Sequence, residues 1–340
     1  MIRVETAGLF TTIQDEGRWG YQAYGVPVAG AMDRYAYRVA NIMAGNAAGA
    51  AALEMTVTGD SLFFEGAAYV AITGADMQAT LNGAPVANWS AFPVPAGSVL
   101  AFGYAISGCR GYLAVGGGID VPEVLGSRST YTRAGLGGLN GRKLQVGDVL
   151  GWGQAMAGGP ALALPTQYRP AYPGEITLRV LTGPQDDLFI AAGPATLFSE
   201  SYTITDEADR MGYRLEGPAI AHLGKADIVS DALPQGAIQI PGHGRPIIMM
   251  ADRQTTGGYT KIGTVIGSDL AVLAQAKPGD TVRFLRTTDN EAVAALQAER
   301  ETYAAIAAWR ADALRRPPSR VQRYSVVVNG QTYSVEIEEV

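Results

Sequence analysis

The chain is almost without cysteine and histidine: Cys109 is the single cysteine, and His222 and His243 are the two histidines, among 340 residues. A lone cysteine excludes an internal disulfide and suits a reducing compartment. With so few sulfur and imidazole ligands, a zinc site is not expected, and no metal site is assigned to the chain. Basic blocks are missing as well. Twenty-six Lys and Arg stand against 32 Asp and Glu, a net charge of −6, which argues against nucleic acid or an anionic membrane as the main partner. No window reaches the roughly 18 uncharged apolar residues of a membrane span. The stretch MIRVETAGLFTTIQDEGRW lacks the basic start and apolar core of a signal peptide. A cytoplasmic protein is expected. Two enzyme signatures are absent, the GxxxxGK(S/T) phosphate loop and the GxSxG nucleophile elbow. Gly116-Gly117-Gly118 lacks the spacing of a dinucleotide fingerprint.

What the chain has is glycine. Forty-three glycines and 18 prolines punctuate short runs such as Tyr69-Val70-Ala71-Ile72-Thr73 and Leu178-Arg179-Val180-Leu181-Thr182. Short strands parted by turn residues describe an all-β barrel or sandwich better than a doubly wound fold. One pattern, Gly-(Ser/Asp)-x-(Leu/Val)-x-(Phe/Trp), occurs at Gly97–Phe102, Gly147–Trp152 and Gly279–Phe284. A Gly-Ser or Gly-Asp pair makes a tight turn, and the residues after it alternate sides of a strand. Its presence in both halves suggests two related β units in a chain long enough for two domains.

Helical spacing appears twice. Residues 31–43 place Tyr35, Val39, Ile42 and Met43 on one face, with Gly45 and Asn46 ending the run. Residues 290–316 read as the longest helix, capped by Asp289 or Asn290 and stopped by Pro317-Pro318. The Ala-, Gly- and Pro-rich segment 153–173 reads as a linker. The divisions expected are a first β unit over 1–155, a second over 170–290, and an extension over 291–340. The tail, 324–337, reads as a hairpin turning at Asn329-Gly330. That loop pairs Val326 with Tyr333, Tyr324 with Val335 and Arg323 with Glu336.

Polar groups concentrate at strand ends. Gln239 stands inside an apolar run, where an amide is costly unless paired, and the loop Pro241-Gly242-His243-Gly244-Arg245 follows it. Gln239 is either a core residue bonded to backbone or an amide that orients a ligand; Arg245 can grip a carboxylate or phosphate. Asp252–Gly263, DRQTTGGYTKIG, follows a buried strand. Its Gly257-Gly258 lets backbone approach a ligand, and Lys261 can neutralise charge, although turn chemistry alone explains the Asp, Thr and Gly. Asp33 is either a helix-start residue or a functional acid. Asp209–Arg214 is either a solvated charged turn or part of a site, and His222 reads as a packed, hydrogen-bonding histidine.

Asp15–Tyr21, Gly25–Asn46, Leu113–Ser127, Asp209–Gly217, Ser230–Gly263 and Asp269–Phe284, above all Gln239-Ile240-Pro241 with Gln254-Thr255-Thr256-Gly257-Gly258-Tyr259, resemble the family of the 5-oxoprolinase C subunit, or allophanate hydrolase subunit 2. The same module is similar to half of the carboxyltransferase domain of urea carboxylase. The resemblance covers roughly residues 1–290.

The resemblance implies a mainly β fold with a few helices, built on two cyclophilin-like β-barrel subdomains. It implies a hetero-oligomer with a paralogous B-like partner and an A-like hydrolase. Together these activate 5-oxoproline with ATP, with or without Mg²⁺, for hydrolysis to glutamate. Two alternatives come with the family: a carboxyltransferase acting on urea or another amide with carboxybiotin, and a non-catalytic antagonist of a histidine-kinase inhibitor. No Met-Lys-Met motif follows the hairpin, so biotin is not expected on this chain. On this resemblance Lys261, Asp252 and Asp33 become the catalytic candidates. Gln239, Pro241, His243, Arg245, Gln254, Thr255, Gly257, Gly258, Tyr259, Arg210 and Arg214 become the substrate-binding candidates, forming a pocket wall at a barrel end.

Overall fold

A computed structural model describes residues 1–154, 159–315, 321–328 and 331–338, the last two segments through their backbone. The chain is mainly β, with four α-helices among the described residues.

Two sheets build the first half. Ile2–Thr6, Ser61–Phe64, Ser98–Ala101 and Val149–Trp152 belong to a seven-stranded sheet; Phe10–Gln14, Ala52–Thr56, Ala68–Asp76, Ser90–Val94 and Ser107–Val115 belong to a six-stranded one. Alternation turns Ile2, Val4, Leu62, Phe64 and Leu100 of the first toward Ile13, Leu53, Met55, Val70 and Leu113 of the second, and together they form one buried core. The other face of the six-stranded sheet carries Tyr69, Ala71, Ala91 and Tyr112, and helix α1 (Arg34–Ala44) packs there through Ala36, Tyr37, Val39 and Ala40. Helix α1 starts where Asp33 accepts from the Ala36 N–H at 2.9 Å and stops at Gly45, whose φ of 81° closes the left-handed cap.

The second half closes on itself. Glu175–Thr182, Thr281–Arg286, Ser201–Ile204, Gly212–Glu216, Ile247–Met249, Ala237–Ile240 and Thr256–Val265 are hydrogen-bonded in that order, and the last pairs back to the first through Val180 and Val265. Seven strands therefore form a barrel filled by Ile176, Leu178, Tyr213, Ile238, Ile248, Ile262 and Phe284. Asp227–Ala232 adds an edge strand outside Thr256–Val265. Helices α2 (Ala192–Ser199) and α3 (Leu270–Leu273) lie in this half, and α4 (Asp289–Arg315) runs back to α1, where Ile306 is buried and Arg310 Nε donates to the Met43 carbonyl at 2.9 Å. No helix is long and apolar enough to cross a membrane among the described residues.

The turn-into-strand pattern forms three times as read: Gly97, Gly147 and Gly279 have φ of 79°, 88° and 92° and lead into Ser98–Ala101, Val149–Trp152 and Thr281–Arg286. The segment read as a linker is instead built into the first half. Leu162–Ala163 pairs with Ser90 and Ala91, and Leu164 is fully buried beside α1; residues 155–158 lie outside the described residues. The terminal hairpin, Val321–Val328 with Gln331–Glu338, has the register read for it: Arg323 opposite Glu336, Tyr324 opposite Val335, Val326 opposite Tyr333. Its Asn329-Gly330 turn and the Pro317-Pro318 stop lie outside the described residues.

Candidate functional site

Ile238, Ile240, Ile248, Tyr213 and Leu215 point into the barrel. Their alternates, Gln239, Ile247, Met249, Gly212 and Arg214, therefore share its outer face on three adjacent strands. The register Gly212↔Met249, Arg214↔Ile247 and Gln239↔Ile247 places them side by side. Next to Gln239 the pairing slips, from Ile238↔Gly263 to Gln239↔Lys261, so Ile262 is the extra residue of a β-bulge. Bulges of this kind re-aim side chains.

Over this face lies a cavity of about 600 Å³ lined by Gln239, Pro241, His243, Gln254, Tyr259 and Arg214, with Arg133, Glu207, Asp209, Met211, Ile247 and Met249. Six of the residues picked from the sequence thus meet in one place. The place is the outer face of the barrel rather than its end, because the strand alternation that fills the barrel with Ile turns Gln239 outward. Two ion pairs flank the cavity, Arg133 with Asp209 at 3.1 Å and Arg214 with Glu207 at 2.9 Å. Arg133, from the first half, was not a sequence candidate. It lies in a turn 76 residues before Asp209 in the chain, and no local pattern joins the two.

Gln239 is the unusual lining residue. It is 2% exposed, yet its Nε2 reaches only the Tyr259 carbonyl, at 3.5 Å, and Oε1 has no hydrogen-bond partner among the described residues. Oε1 is open to the cavity and free to accept from a ligand that presents a donor beside an acceptor. His243 accepts at Nδ1 from the Arg245 N–H, 3.1 Å away, which leaves Nε2 as the donor.

The three catalytic candidates are not brought together. Lys261 is 1% exposed and donates from Nζ to Asp231 Oδ2 at 2.7 Å and to the Ala232 carbonyl at 3.2 Å, so its charge is already neutralised by the edge strand. Asp252 is buried in a two-pronged pair with Arg210, Nε to Oδ2 at 2.9 Å and Nη2 to Oδ1 at 2.8 Å. Arg210 also donates to Glu54 and to the Gly30 carbonyl, so it rivets the two halves rather than facing a ligand. Asp33 caps α1 and accepts from Gln275 Nε2 at 2.7 Å. Burial pushes its carboxyl up to about 6, against the hydrogen bonds from Ala36 and Gln275 and with the Glu54 charge.

Other candidates find protein partners too. Arg245 grips Glu216 at 2.9 Å. Gly257 and Gly258, read as an anion cradle, lie inside the strand Thr256–Val265; Gly257 sits opposite Asp231, and a Cβ there would come within 2.5 Å of Gln239 Nε2. A side chain at 257 would push the Gln239 amide aside. His222 packs as read, its Nε2 at 3.1 Å from the Ile240 carbonyl and 2.9 Å from Thr260 Oγ1. Thr255 lines a different cavity, between the halves, and Gln254 borders both.

A closed barrel joined to a two-sheet unit, with a polar cavity on the barrel's outer face, is a carboxyltransferase-type module: residues 24–286 match the carboxyltransferase domain, subdomain A and B. The C subunit of 5-oxoprolinase from Escherichia coli (strain K12) is 36% identical over 310 residues, spanning 91% of this chain and 98% of that protein. The chain belongs to this carboxyltransferase-domain family, of which the 5-oxoprolinase C subunit is a member. The corresponding 5-oxoprolinase protein of Haemophilus influenzae is 37% identical over 86% of this chain and 93% of its own length. The crystal structure of the K. lactis urea amidolyase superposes with a TM-score of 0.86 at 31% identity, covering 90% of this chain and 20% of that longer one.

Proposed function

We propose that this chain is one subunit of an ATP-dependent 5-oxoprolinase and that its Gln239 cavity receives the lactam. The observation that carries the reading is the 98% coverage of the Escherichia coli 5-oxoprolinase C subunit, which leaves almost no part of that protein without a counterpart here. The chemistry of Gln239 supports it. A lactam offers an N–H beside a C=O, and a buried carboxamide with its Oε1 unpartnered among the described residues offers the complementary acceptor and donor.

Activation of the resonance-stabilised carbonyl falls to ATP, bound with a B-like partner; an A-like hydrolase completes the ring opening to glutamate. In this cavity Arg133 and Arg214 are each engaged by a carboxylate, so the residues fit the lactam end better than a triphosphate. Among the described residues no group of three or more His, Cys, Asp or Glu could hold a metal ion. On this reading any Mg²⁺ arrives on the nucleotide. Lys261, Asp252 and Asp33 are engaged in protein contacts, so acid–base work falls to groups the partners bring.

The test is reconstitution of the chain with its B-like and A-like partners and measurement of 5-oxoproline-dependent ATP hydrolysis. Turnover that needs this chain and is lost in Gln239→Ala supports the reading; undiminished turnover without the chain refutes it. The likeness to the urea amidolyase favours one second reading, a carboxyltransferase component. Its mark would be turnover that requires urea and a separate biotinylated carrier.

A further inference from the structure

A second cavity, of about 640 Å³, lies between the two halves and is not the Gln239 cavity. Trp19, Val28 and Met32 from the first half and Leu233 and Leu270 from the second give it apolar walls, and two arginines enter it, Arg34 and Arg253. Its volume falls in the range of small-molecule sites, about 300–1,000 Å³.

Neither arginine forms an ion pair among the described residues. Arg253 is 8% exposed; its Nε donates to the Leu233 carbonyl at 2.9 Å and one terminal nitrogen to the Met250 carbonyl at 3.2 Å, both neutral acceptors. The other terminal nitrogen has no partner among the described residues. Arg34 is half-buried at the first turn of α1; its side chain makes no hydrogen bond or ion pair among the described residues and lies over the Trp19 ring, 5.6 Å from the centroid. The carboxylates that act on it, Glu16 and Glu299, are both held by Arg38, at 2.7 and 3.8 Å.

Burial and the nearby Arg34 charge push the Arg253 guanidinium down to about 10. Two other buried arginines are paired: Arg210 with Asp252 and Glu54, and Arg110 with Tyr213 and Glu54. Arg18, like Arg253, donates to two carbonyls, but its remaining nitrogen is buried, whereas Arg253 lines a cavity. Two desolvated guanidiniums in one apolar cavity, near each other and unpaired, are unfavourable until an anion joins them.

We propose that this inter-half cavity is an oxyanion site, in which Arg34 and Arg253 take the oxygens of one carboxylate or phosphate group while Trp19, Met32 and Leu270 cover the body of the ligand. The guanidinium fork suits either anion bidentately. The anion can come from a small carboxylate substrate or from a nucleotide. The site does not depend on the lactam reading of the Gln239 cavity.

Titration calorimetry of the isolated full chain at low ionic strength, with inorganic phosphate and separately with L-5-oxoprolinate, tests it. At least one anion saturates the wild type, and its affinity falls as KCl is raised. Arg34→Gln weakens that anion by about tenfold or more, the loss of one charge-assisted contact, and Arg34→Lys recovers part of it. The Arg34 side chain holds no hydrogen bond among the described residues and its charge repels that of Arg253, so Arg34→Gln melts no lower than the wild type. Saturation by phosphate alone points to a nucleotide, and by L-5-oxoprolinate alone to a carboxylate. The proposal is overturned if neither anion saturates the wild type below about 10 mM. It is equally overturned if wild-type affinity ignores KCl, a result that requires no variant, or if Arg34→Gln binds as the wild type does.

Discussion

Gln275 and Asp33 meet across the seam between the two halves, Nε2 of the glutamine donating to Oδ2 of the aspartate at 2.7 Å. The same carboxamide donates to the Arg110 carbonyl at 2.8 Å and accepts from the Cys109 and Arg110 N–H groups, each at 2.9 Å. One barrel-side residue thus satisfies three backbone groups of Ser107–Val115 and fixes the acid that starts α1.

That acid makes stability pH-dependent. The folded Asp33 carboxyl titrates at about 6, above its ordinary 3.8, so between these values the folded chain holds a proton that the unfolded chain has released. Stability from this group therefore falls as pH rises from about 4 to about 6, and the deficit, up to about 3 kcal/mol, is complete above that window. Asp33→Asn cannot titrate. Denaturant unfolding of both proteins at pH 4 and pH 7 checks this: the wild type loses ground to Asp33→Asn at the higher pH, and a constant difference refutes the assignment.

Arg210 joins Glu54 of the first half to Asp252 of the second, with all three residues under 9% exposed. Removing the cation strands two buried carboxylates, at a cost of about 3–5 kcal/mol. Arg210→Met is expected to lower the unfolding free energy by that amount, whereas Arg245→Met, whose pair with Glu216 is half-exposed, changes stability by less than about 1 kcal/mol. Denaturant titration of both variants measures the two losses. Equal losses would remove the distinction between rivet and surface pair.

Where these residues would stand was legible unevenly. The Asn329-Gly330 signal carried the hairpin register, the glycine-led turns carried three strands, and Gly45 ended α1, because each rests on contacts within a few residues. Gln239, His243, Gln254 and Tyr259 were legible as a group for a related reason: neighbouring strands bring them together. The protein neighbours of Lys261 and Gly257, Asp231 and Gln239, were not legible, since strand pairing and a bulge specify them. Arg133 carries no local signal, and Arg34 and Arg253 stand in stretches that carry the family resemblance without any sign of what they face. Their meaning comes from which carboxylates they meet, or fail to meet, across the seam.

Lys261 tests that lesson. Its ammonium is buried against Asp231, while the Asp231 side chain is 52% exposed, so the carboxylate keeps its water when the lysine is removed. Lys261→Met is therefore expected to change stability by no more than about 1 kcal/mol. It is also expected to leave 5-oxoproline-dependent ATP hydrolysis by the reconstituted complex at the wild-type rate. A large fall in kcat with unchanged stability would return Lys261 to the reaction.

Gln239 should behave in the opposite way. Its side chain is mostly buried, with Oε1 unpartnered among the described residues, on the outer face of the barrel beside Ile247 and Met249. Replacing it by leucine keeps most of its volume and gives up one long hydrogen bond, to the Tyr259 carbonyl. Gln239→Leu is expected to stay within about 1 kcal/mol of the wild type. The same change deletes the groups that read the lactam, so KM for 5-oxoproline should rise by about tenfold or more, while KM for ATP stays put. Thermal unfolding and the two KM values are measured on one preparation. A destabilised Gln239→Leu with normal KM would mean that the amide is held by the protein and that the lactam binds elsewhere.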